Sequence, residues 1–259
     1  MTSMQVHESG AVQRPDGLWV FPRKEFVKER FTNKPGNHVL FGGPSQNGKT
    51  SFAFDLLEEC ATVECPAYIA VSKPRDPVTE KRGRELYFRF VSDWPPPGNV
   101  KDFFRDKPRG YIVWPRFGDI NTDVIRSREV TRRLIEDRYA AGVKKKKGIL
   151  VLDDTYVKTK VLKLDREMVT IHAMAGAMDL GAWTFVQKPT GAGETPIMAY
   201  GACEWAFIFN DPDKRSRQRY DEIGGFDPSY MSAKVLSLKK YQCLAVNRSS
   251  RSMCIVDKS

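Results

Sequence analysis

The most restrictive feature of the chain is an eight-residue glycine-rich segment that directly follows a short apolar run. The run covers residues 38–41, and the segment consists of Gly43, Pro44, Ser45, Gln46, Asn47, Gly48, Lys49 and Thr50. This is the full G-x-x-x-x-G-K-[ST] pattern, which belongs between a strand and a helix. Backbone N–H groups of such a turn form a concave site for phosphate oxygens, and the N-terminal end of the helix adds positive potential. The segment therefore predicts a phosphate-binding P-loop.

The P-loop predicts the roles of individual side chains. We expect Lys49 to reach the β- and γ-phosphates of a nucleotide and the Thr50 hydroxyl to bind Mg²⁺, with Ser51 completing the phosphate-binding set. The expected ligands are therefore ATP and Mg²⁺. The alternative is a glycine-rich turn without a ligand, and the flanking strand and helix patterns argue against it.

Length, charge and cysteine content limit the class of protein. The 259 residues suit one large domain with appendages, and the formal net charge of +10 favours a polyanion such as nucleic acid over a merely soluble basic protein. The five cysteines form no C-x-x-C pair, which indicates reduced thiols and a cytoplasmic protein. No run of about 18 apolar residues is present, so we expect no membrane span. The N-terminal residues lack the pattern of a signal peptide.

Apolar strand patterns alternate with helical patterns from residue 37 onward, which predicts an α/β fold with a mainly parallel sheet flanked by helices. Two apolar runs around the turn at residues 247–251 predict a C-terminal β-hairpin. We expect residues 1–36 to form an N-terminal arm and residues 37–259 to form the P-loop domain. Residues 72–110, which are rich in proline and basic residues, are predicted to be a loop or excursion without a long periodic element.

Two adjacent carboxylates follow the buried strand pattern of residues 149–152. A Walker B strand ends in this way, and parallel strands bring its tip to the edge of the sheet that carries the P-loop. Asp153 is expected to hold the Mg²⁺ shell, and Asp154 to orient or deprotonate the water that attacks the γ-phosphate. The alternative is that both aspartates only cap a turn.

A polar residue also ends the next strand pattern, at residues 184–187. Gln187 there suits a sensor that contacts the γ-phosphate and the attacking water. The alternative is a strand that simply ends at the turn containing Pro189.

The P-loop, the Walker B aspartates and the Gln-x-Pro segment, in this order, resemble the FtsK–HerA superfamily of DNA-pumping ATPases, and within it the compact viral genome-packaging ATPases. The resemblance covers roughly residues 37–256 and implies a RecA/ASCE-like P-loop NTPase. It also implies a homo-oligomeric ring, usually a hexamer, that threads double-stranded DNA without sequence preference. If the chain is viral, a capsid portal protein is a further expected partner, and the location is the host cytoplasm or the virion.

Members of this superfamily commonly carry an arginine before the sensor strand that reaches the nucleotide of the neighbouring subunit. Residues 175–181 contain no arginine, so this role has no clear holder here. The candidates are Arg166, Arg126, Arg128 and Arg217.

Two basic segments, interpreted as flexible loops, are candidates for contact with the DNA backbone. Their residues are Lys73, Arg75, Arg82 and Arg84 in the first and Lys214, Arg215 and Arg217 in the second. The lysine run at 144–147 is better interpreted as a solvated loop. No sequence-specific DNA-binding motif is present.

Three other functions remain open at this stage. A related translocase for conjugation, segregation or end processing would carry an added domain. A small-molecule P-loop kinase would carry a lid or acceptor-binding pattern. A non-catalytic nucleotide switch would not depend on Asp153 or Asp154.

Overall fold

The computed structural model describes residues 10–98, 107–115, 117–187, 195–220, 223 and 225–258. The strands in these ranges belong to one sheet of eleven. Their bounds are β1 Val12–Gln13, β2 Trp19–Pro22, β3 His38–Gly42, β4 Ala67–Ala70, β5 Arg89–Val91, β6 Gly110–Val113, β7 Gly148–Leu152, β8 Leu180–Val186, β9 Cys203–Phe209, β10 Cys243–Asn247 and β11 Ser252–Asp257.

The strand order across the sheet is β1-β2-β11-β10-β9-β3-β8-β7-β4-β6-β5. Every neighbouring pair from β9 to β5 is parallel. The hairpin β10–β11 then extends the sheet in antiparallel fashion from β9, and β2 adds to β11 in parallel. Because β8 lies between β3 and β7, the carboxyl ends of these three strands meet at one edge of the sheet, where open α/β sheets bind their ligands.

Helices cover both faces of the sheet. They are α1 Arg23–Glu29, α2 Lys49–Cys60, α3 Pro77–Glu85, α4 Ile120–Val143, α5 Asp165–Met174, α6 Thr195–Ala202, α7 Lys214–Arg219 and α8 Pro228–Ser237, together with a π-helical turn at Val157–Val161 and a 3₁₀ turn at Ala175–Met178. Four of them begin after an aspartate whose carboxylate accepts a hydrogen bond from the N–H three residues later. These caps are Asp76, Asp119, Asp213 and Asp227, at distances of 2.8–3.1 Å. Each satisfies a backbone donor that the helix leaves free.

The alternation of side chains along the strands divides the core between two faces. In β3, Val39 and Phe41 pack in an aromatic-rich cluster beneath α1 and α2, whereas Leu40 joins a separate cluster with α8. In β7, Leu150 and Leu152 pack with α4 and α5. Burial on both faces is why these strands are nearly continuous apolar runs in the sequence, as is typical of parallel sheets.

Residues 10–36 are part of this sheet and core. Phe26 of α1 is fully buried, and its ring contacts the rings of Phe52, Trp205 and Phe207 at 5.7–6.4 Å. Arg23 is also buried and bonds Asp55 of α2. The described part of the predicted arm therefore does not separate from the P-loop domain at residue 36, because its aromatic side chains fill one face of the sheet.

The prediction of an irregular excursion at residues 72–110 is corrected in part. Helix α3 and strand β5 lie within it, and β5 forms the outer edge of the parallel sheet. Helix α6, which was not predicted from the sequence, directly precedes β9 in the chain. The mainly parallel α/β sheet and the C-terminal hairpin are confirmed.

Candidate active site

The P-loop occupies the turn between β3 and α2. Gly43 has φ +126°, and a Cβ there would lie 3.1 Å from Cβ of Phe209. Gly48, the residue before α2, has φ +93°. Both positions demand glycine, because a side chain would force either a left-handed strain or a clash with β9. The two glycines of the motif thus set the shape of the turn.

Lys49 begins α2 and is buried beneath the turn. Its ammonium donates hydrogen bonds to the carbonyl oxygens of Gly43 and Pro44. Burial lowers the pKa of Lys49 to about 7, and the positive charge of Lys73 contributes to the shift, whereas Asp154 and Asp211 oppose it. A bound phosphate would supply the negative charge that these carbonyl dipoles only partly replace. The lysine is therefore placed where a phosphate would stabilise its charged form.

The remaining P-loop residues are held by their neighbours or open to the cleft. Asn47 donates through Nδ2 to the carbonyl oxygen of Asn210 at 2.8 Å, which fixes the turn to the end of β9. Ser45 and Gln46 are exposed, and Thr50 and Ser51 lie in the first turn of α2. The predicted phosphate-binding residues are thus brought together in one turn.

Asp153 follows β7, and Asp153 and Thr50 both line a small recess and the wide cleft that Lys49 also lines. The carboxylate accepts hydrogen bonds from the backbone N–H and the hydroxyl of Ser72, at 3.0 and 2.8 Å, and from Nζ of Lys158 at 2.8 Å. A hydroxyl and a carboxylate at one recess are suitable oxygen ligands for Mg²⁺, which keeps several waters and needs few protein ligands. Thr50 and Asp153 therefore fit the predicted cation, and the cation would neutralise charge on the phosphates.

Asp154, Gln187 and Ser45 form a chain of hydrogen bonds across three strand ends. Nε2 of Gln187 donates to Oδ2 of Asp154 at 3.0 Å, and Oε1 of Gln187 accepts from the Ser45 hydroxyl at 2.9 Å. Asp154 has φ +43°, a conformation that aspartate tolerates better than most residues. The backbone N–H of Val157 bonds its other oxygen at 3.3 Å. The three predicted elements thus meet at one point.

No family model matches the chain, and no curated protein matches its sequence. Solved structures with a similar fold exist. The genome packaging NTPase B204 from Sulfolobus turreted icosahedral virus 2, in complex with ATP-gammaS, superposes with a TM-score of 0.56 at 14% identity over 85% of this chain and 97% of that one. The chain therefore has the mainly parallel α/β fold of P-loop ATPases.

Two larger proteins are also similar in fold. The pCW3 conjugation coupling protein TcpA superposes with a TM-score of 0.50 at 14% identity, over 98% of this chain and 75% of that one. The Type VII secretion ATPase EccC of Thermomonospora curvata superposes with a TM-score of 0.51 at 12% identity, over 98% of this chain and 29% of that one. At these identities the likeness concerns the fold, which agrees with the RecA/ASCE-like prediction.

The basic segments differ from the predicted flexible loops. Residues 214–219 form α7, and Arg217 is buried, with hydrogen bonds of 2.9 Å to the carbonyl oxygen of Asp211 and 3.0 Å to the Ser232 hydroxyl. Arg217 is therefore corrected as a candidate for both DNA contact and the trans arginine, because its guanidinium is committed inside the domain. Lys214 and Arg215 are exposed beside it.

The other basic segment includes α3, and its arginines pair with carboxylates. Arg82 bonds Asp55, Glu58 and Glu85 at 2.8–3.0 Å, which joins α3 to α2. Arg84 pairs with Glu80 on the same helix at 2.9 Å. The hypothesis that Arg82 is a free DNA-gripping cation is thus not supported by its contacts.

Lys73 and Arg75 follow β4 and line the same wide cleft as Lys49. Arg75 is exposed, and Lys73 lies 3.9 Å from the Asp76 carboxylate. Both cations therefore face the place where phosphates would lie, so nucleotide contact is as compatible with their position as DNA contact.

The remaining candidates for the trans arginine lie on helix surfaces. Arg166 is exposed near the start of α5, and Arg126 and Arg128 are exposed in the first half of α4. Both helices run opposite to the strands, so these parts lie toward the sheet edge that carries the P-loop. Their place permits contact with a neighbouring subunit, and their role stays a prediction.

Sequence reasoning missed three residues at the site. Lys158 bonds Asp153, and Arg23 bonds Asp55 and the carbonyl oxygen of Tyr241 at 3.2 and 3.1 Å. The Tyr241 ring lies against Gly48, where a Cβ would approach its Cδ1 to 3.1 Å. These residues come from the π-helical turn, α1 and the segment before β10, and no motif spacing connects those elements to the P-loop.

Among the described residues, no group of three or more histidine, cysteine, aspartate or glutamate side chains is arranged to hold a metal ion. The helices in the described ranges include none with the length and apolar content needed to cross a membrane.

Proposed function

We propose that the chain hydrolyses ATP with Mg²⁺ and uses the energy to move double-stranded DNA, most specifically as the packaging motor of a viral genome. The observation that supports hydrolysis best is the pair of hydrogen bonds that links Ser45 through Gln187 to Asp154. It joins the phosphate-binding turn to the carboxylate that would activate water. A binding-only switch has no need for this connection.

The proposed reaction follows the general scheme of phosphoryl transfer. The P-loop N–H groups and Lys49 would hold the β- and γ-phosphates, and Thr50 and Asp153 would hold Mg²⁺. Asp154 would orient and accept a proton from the attacking water, with Gln187 placed to sense the γ-phosphate. Each of these side chains lies at the same edge of the sheet.

The proposal of DNA as the polymer depends on charge. The formal net charge is +10, and Lys214 and Arg215 are exposed on α7, which follows β9 at the nucleotide edge of the sheet. Exposed cations of this kind contact the phosphate backbone without reading bases. Movement of α7 with the nucleotide state would couple hydrolysis to grip.

The oligomeric part of the proposal is a homo-oligomeric ring, with a hexamer as the expected size, in which Arg166, Arg126 or Arg128 reaches the nucleotide of a neighbour. A capsid portal protein is the further partner proposed for a viral motor. B204, whose structure is similar, is described as a genome packaging NTPase. The similar fold, together with that description, supports the viral proposal.

The test is steady-state ATPase activity with and without double-stranded DNA of unrelated sequences, on the wild type and Lys49→Ala. We expect DNA of any sequence to stimulate phosphate release, the stimulation to fall with salt, and the variant to be inactive. Hydrolysis without any DNA response would contradict translocation and favour a small-molecule kinase. Wild-type activity in Lys49→Ala would contradict the site.

A matched pair of variants tests the DNA surface. Lys214→Ala with Arg215→Ala removes two exposed cations at the nucleotide edge, and Lys144→Ala with Lys145→Ala removes two at the opposite edge. We expect the first pair to raise the DNA concentration needed for half-maximal stimulation about tenfold and the second to leave it unchanged, because backbone contacts are local. Equal effects would argue for non-specific attraction.

A further inference from the structure

Lys158 is a lysine that the domain buries completely. It lies in the π-helical turn five residues after Asp153, and its exposed fraction is 0%. Its ammonium donates to the carbonyl oxygen of Ala70 at 3.0 Å, the hydroxyl of Ser72 at 2.5 Å and Oδ1 of Asp153 at 2.8 Å. All three donors of the ammonium thus have acceptors, which is the condition under which a buried charge persists.

The cluster connects two neighbouring strands at their carboxyl ends. Ser72 follows β4, and it donates to Asp153 through both its backbone N–H and its hydroxyl. Asp153 follows β7, which pairs with β4 in parallel. Lys158 and Ser72 therefore hold the carboxylate beside the end of β4, and Asp153 shares a recess with Thr50.

The π-helical turn is what brings Lys158 back to the strand ends. The N–H of Leu162 bonds the carbonyl oxygen of Val157 at 2.9 Å, and the N–H of Leu164 bonds the carbonyl oxygen of Lys158 at 3.0 Å. These wide turns are rare and are concentrated at functional sites. The neighbouring Lys160 on the same turn is exposed, so burial is particular to position 158.

We propose that Lys158 is a positioning residue that holds the Asp153 carboxylate in the orientation needed for Mg²⁺, and that Asp153 is at the same time the counter-ion that the buried Lys158 requires. The role toward Mg²⁺ rests on the proposed function, whereas the ion pair itself does not. Carboxylates that bind metals are held by such outer partners, and loss of a partner typically weakens metal binding 10–100-fold.

The ion pair predicts a specific pattern of thermal stability. Lys158→Met leaves the partly buried Asp153 without its partner, and Asp153→Asn leaves the fully buried Lys158 without its partner. Each should lower the Tm by about 6–20 °C. The double variant removes both charges and should recover to within about 3 °C of the wild type, because the loss is the cost of an unpaired charge. The control Lys160→Met, exposed on the same turn, should change the Tm by less than about 2 °C. Additive losses in the double variant would overturn the pairing.

A second measurement tests the role toward the cation and does not require turnover. Binding of a fluorescent non-hydrolysable ATP analogue is measured with increasing Mg²⁺ and in EDTA, on the wild type, Lys158→Met and Lys160→Met at a temperature where all three are folded. We expect Lys158→Met to need about 10–100 times more Mg²⁺ for its half-maximal effect, with analogue affinity in EDTA within threefold of the wild type.

The outcomes distinguish failure of the positioning role of Lys158 from failure of the proposed function. An unchanged Mg²⁺ requirement in folded Lys158→Met would overturn the positioning role. Absence of analogue binding by the wild type would instead contradict the proposed function, and the stability pattern of the single and double variants would still decide the ion pair.

Discussion

The side-chain amide of Gln187 donates a 3.0 Å hydrogen bond to Oδ2 of Asp154 while its oxygen accepts from Ser45 at 2.9 Å. One residue therefore contacts both the phosphate-binding turn and the carboxylate after β7. The strand order makes this possible, because β8 lies between β3 and β7 and delivers Gln187 to the gap between their ends. A change at the γ-phosphate could reach Asp154 through this amide.

Replacement of Gln187 should separate binding from hydrolysis. Gln187→Ala should keep nucleotide affinity within a few-fold and lower kcat by about 10²-fold or more, because Asp154 loses the group that orients it. Gln187→Glu should be worse, since a second carboxylate would face Asp154 at hydrogen-bond distance. Single-turnover hydrolysis and equilibrium binding measure the two effects. Equal losses of affinity and kcat would indicate a structural role only.

Replacement of Lys49 should abolish turnover without weakening the fold. Burial lowers its pKa to about 7, so the folded chain holds this charge less well than the unfolded chain does. Lys49→Met removes that cost and should leave the Tm unchanged or a few degrees higher, while hydrolysis falls at least 10²-fold. Thermal unfolding without nucleotide, together with phosphate release, tests both parts. A Tm loss of many degrees would show that the bonds to Gly43 and Pro44 stabilise the turn.

Truncation of Phe26 should destabilise the whole domain. Its ring is fully buried among aromatic side chains of α2 and β9, so Phe26→Ala should lower the free energy of unfolding by about 3–5 kcal/mol. Ile125→Ala is the control, because that side chain is 62% exposed on α4 and its loss should cost less than about 0.5 kcal/mol. Urea unfolding measures both. A small effect for Phe26→Ala would mean that residues 10–36 form a detachable arm after all.

Two buried histidines should make the protein sensitive to mild acid. Burial lowers the pKa of His38 to about 4 and that of His172 to about 3, and their rings lie 5.6 Å apart. The unfolded chain takes up protons on these groups below about pH 6.5, whereas the folded chain does not until pH 4 or below. The free energy of unfolding should therefore fall by about 1.4 kcal/mol per histidine for each pH unit between pH 6 and pH 4.

His172→Gln provides the comparison for this pH effect. Nε2 of His172 bonds the Thr184 hydroxyl at 2.9 Å, and a glutamine amide can reach a similar position. Urea unfolding of the wild type and the variant at several pH values should show that the variant loses about half of the histidine-dependent slope. An unchanged slope would mean that His172 is protonated without cost in the folded state.

The catalytic edge was largely predictable from sequence because its determinants are local. Gly43 to Thr50 specify a turn by backbone geometry, and Asp153 and Gln187 follow apolar runs that are typical of buried strands. Once the strands are parallel, their ends must meet. The order of the strands was not predictable in this way, because pairing of β3 with β8 and β9 depends on contacts between residues more than 140 positions apart.

The elements that were missed lack a local apolar signal. In α3 only Thr79 and Gly83 are buried, so no amphipathic pattern marks the helix, although Asp76 and Pro77 form a recognisable start. Lys158 could not be predicted, because a lysine becomes a buried partner of Asp153 only through the π-helical turn. Arg217 was mistaken for a free cation for the same reason, since its acceptors are visible only in the folded chain.

The parallel pairing of β2 with β11 sets Val20 beside Ile255. During synthesis on the ribosome, β2 must therefore wait for a partner strand that lies 235 positions later in the chain. Until then β2 lacks its neighbour in the sheet, and apolar surface left exposed in this way is where larger chains aggregate. We therefore expect a nascent chain stalled before residue 243 to be captured by chaperones.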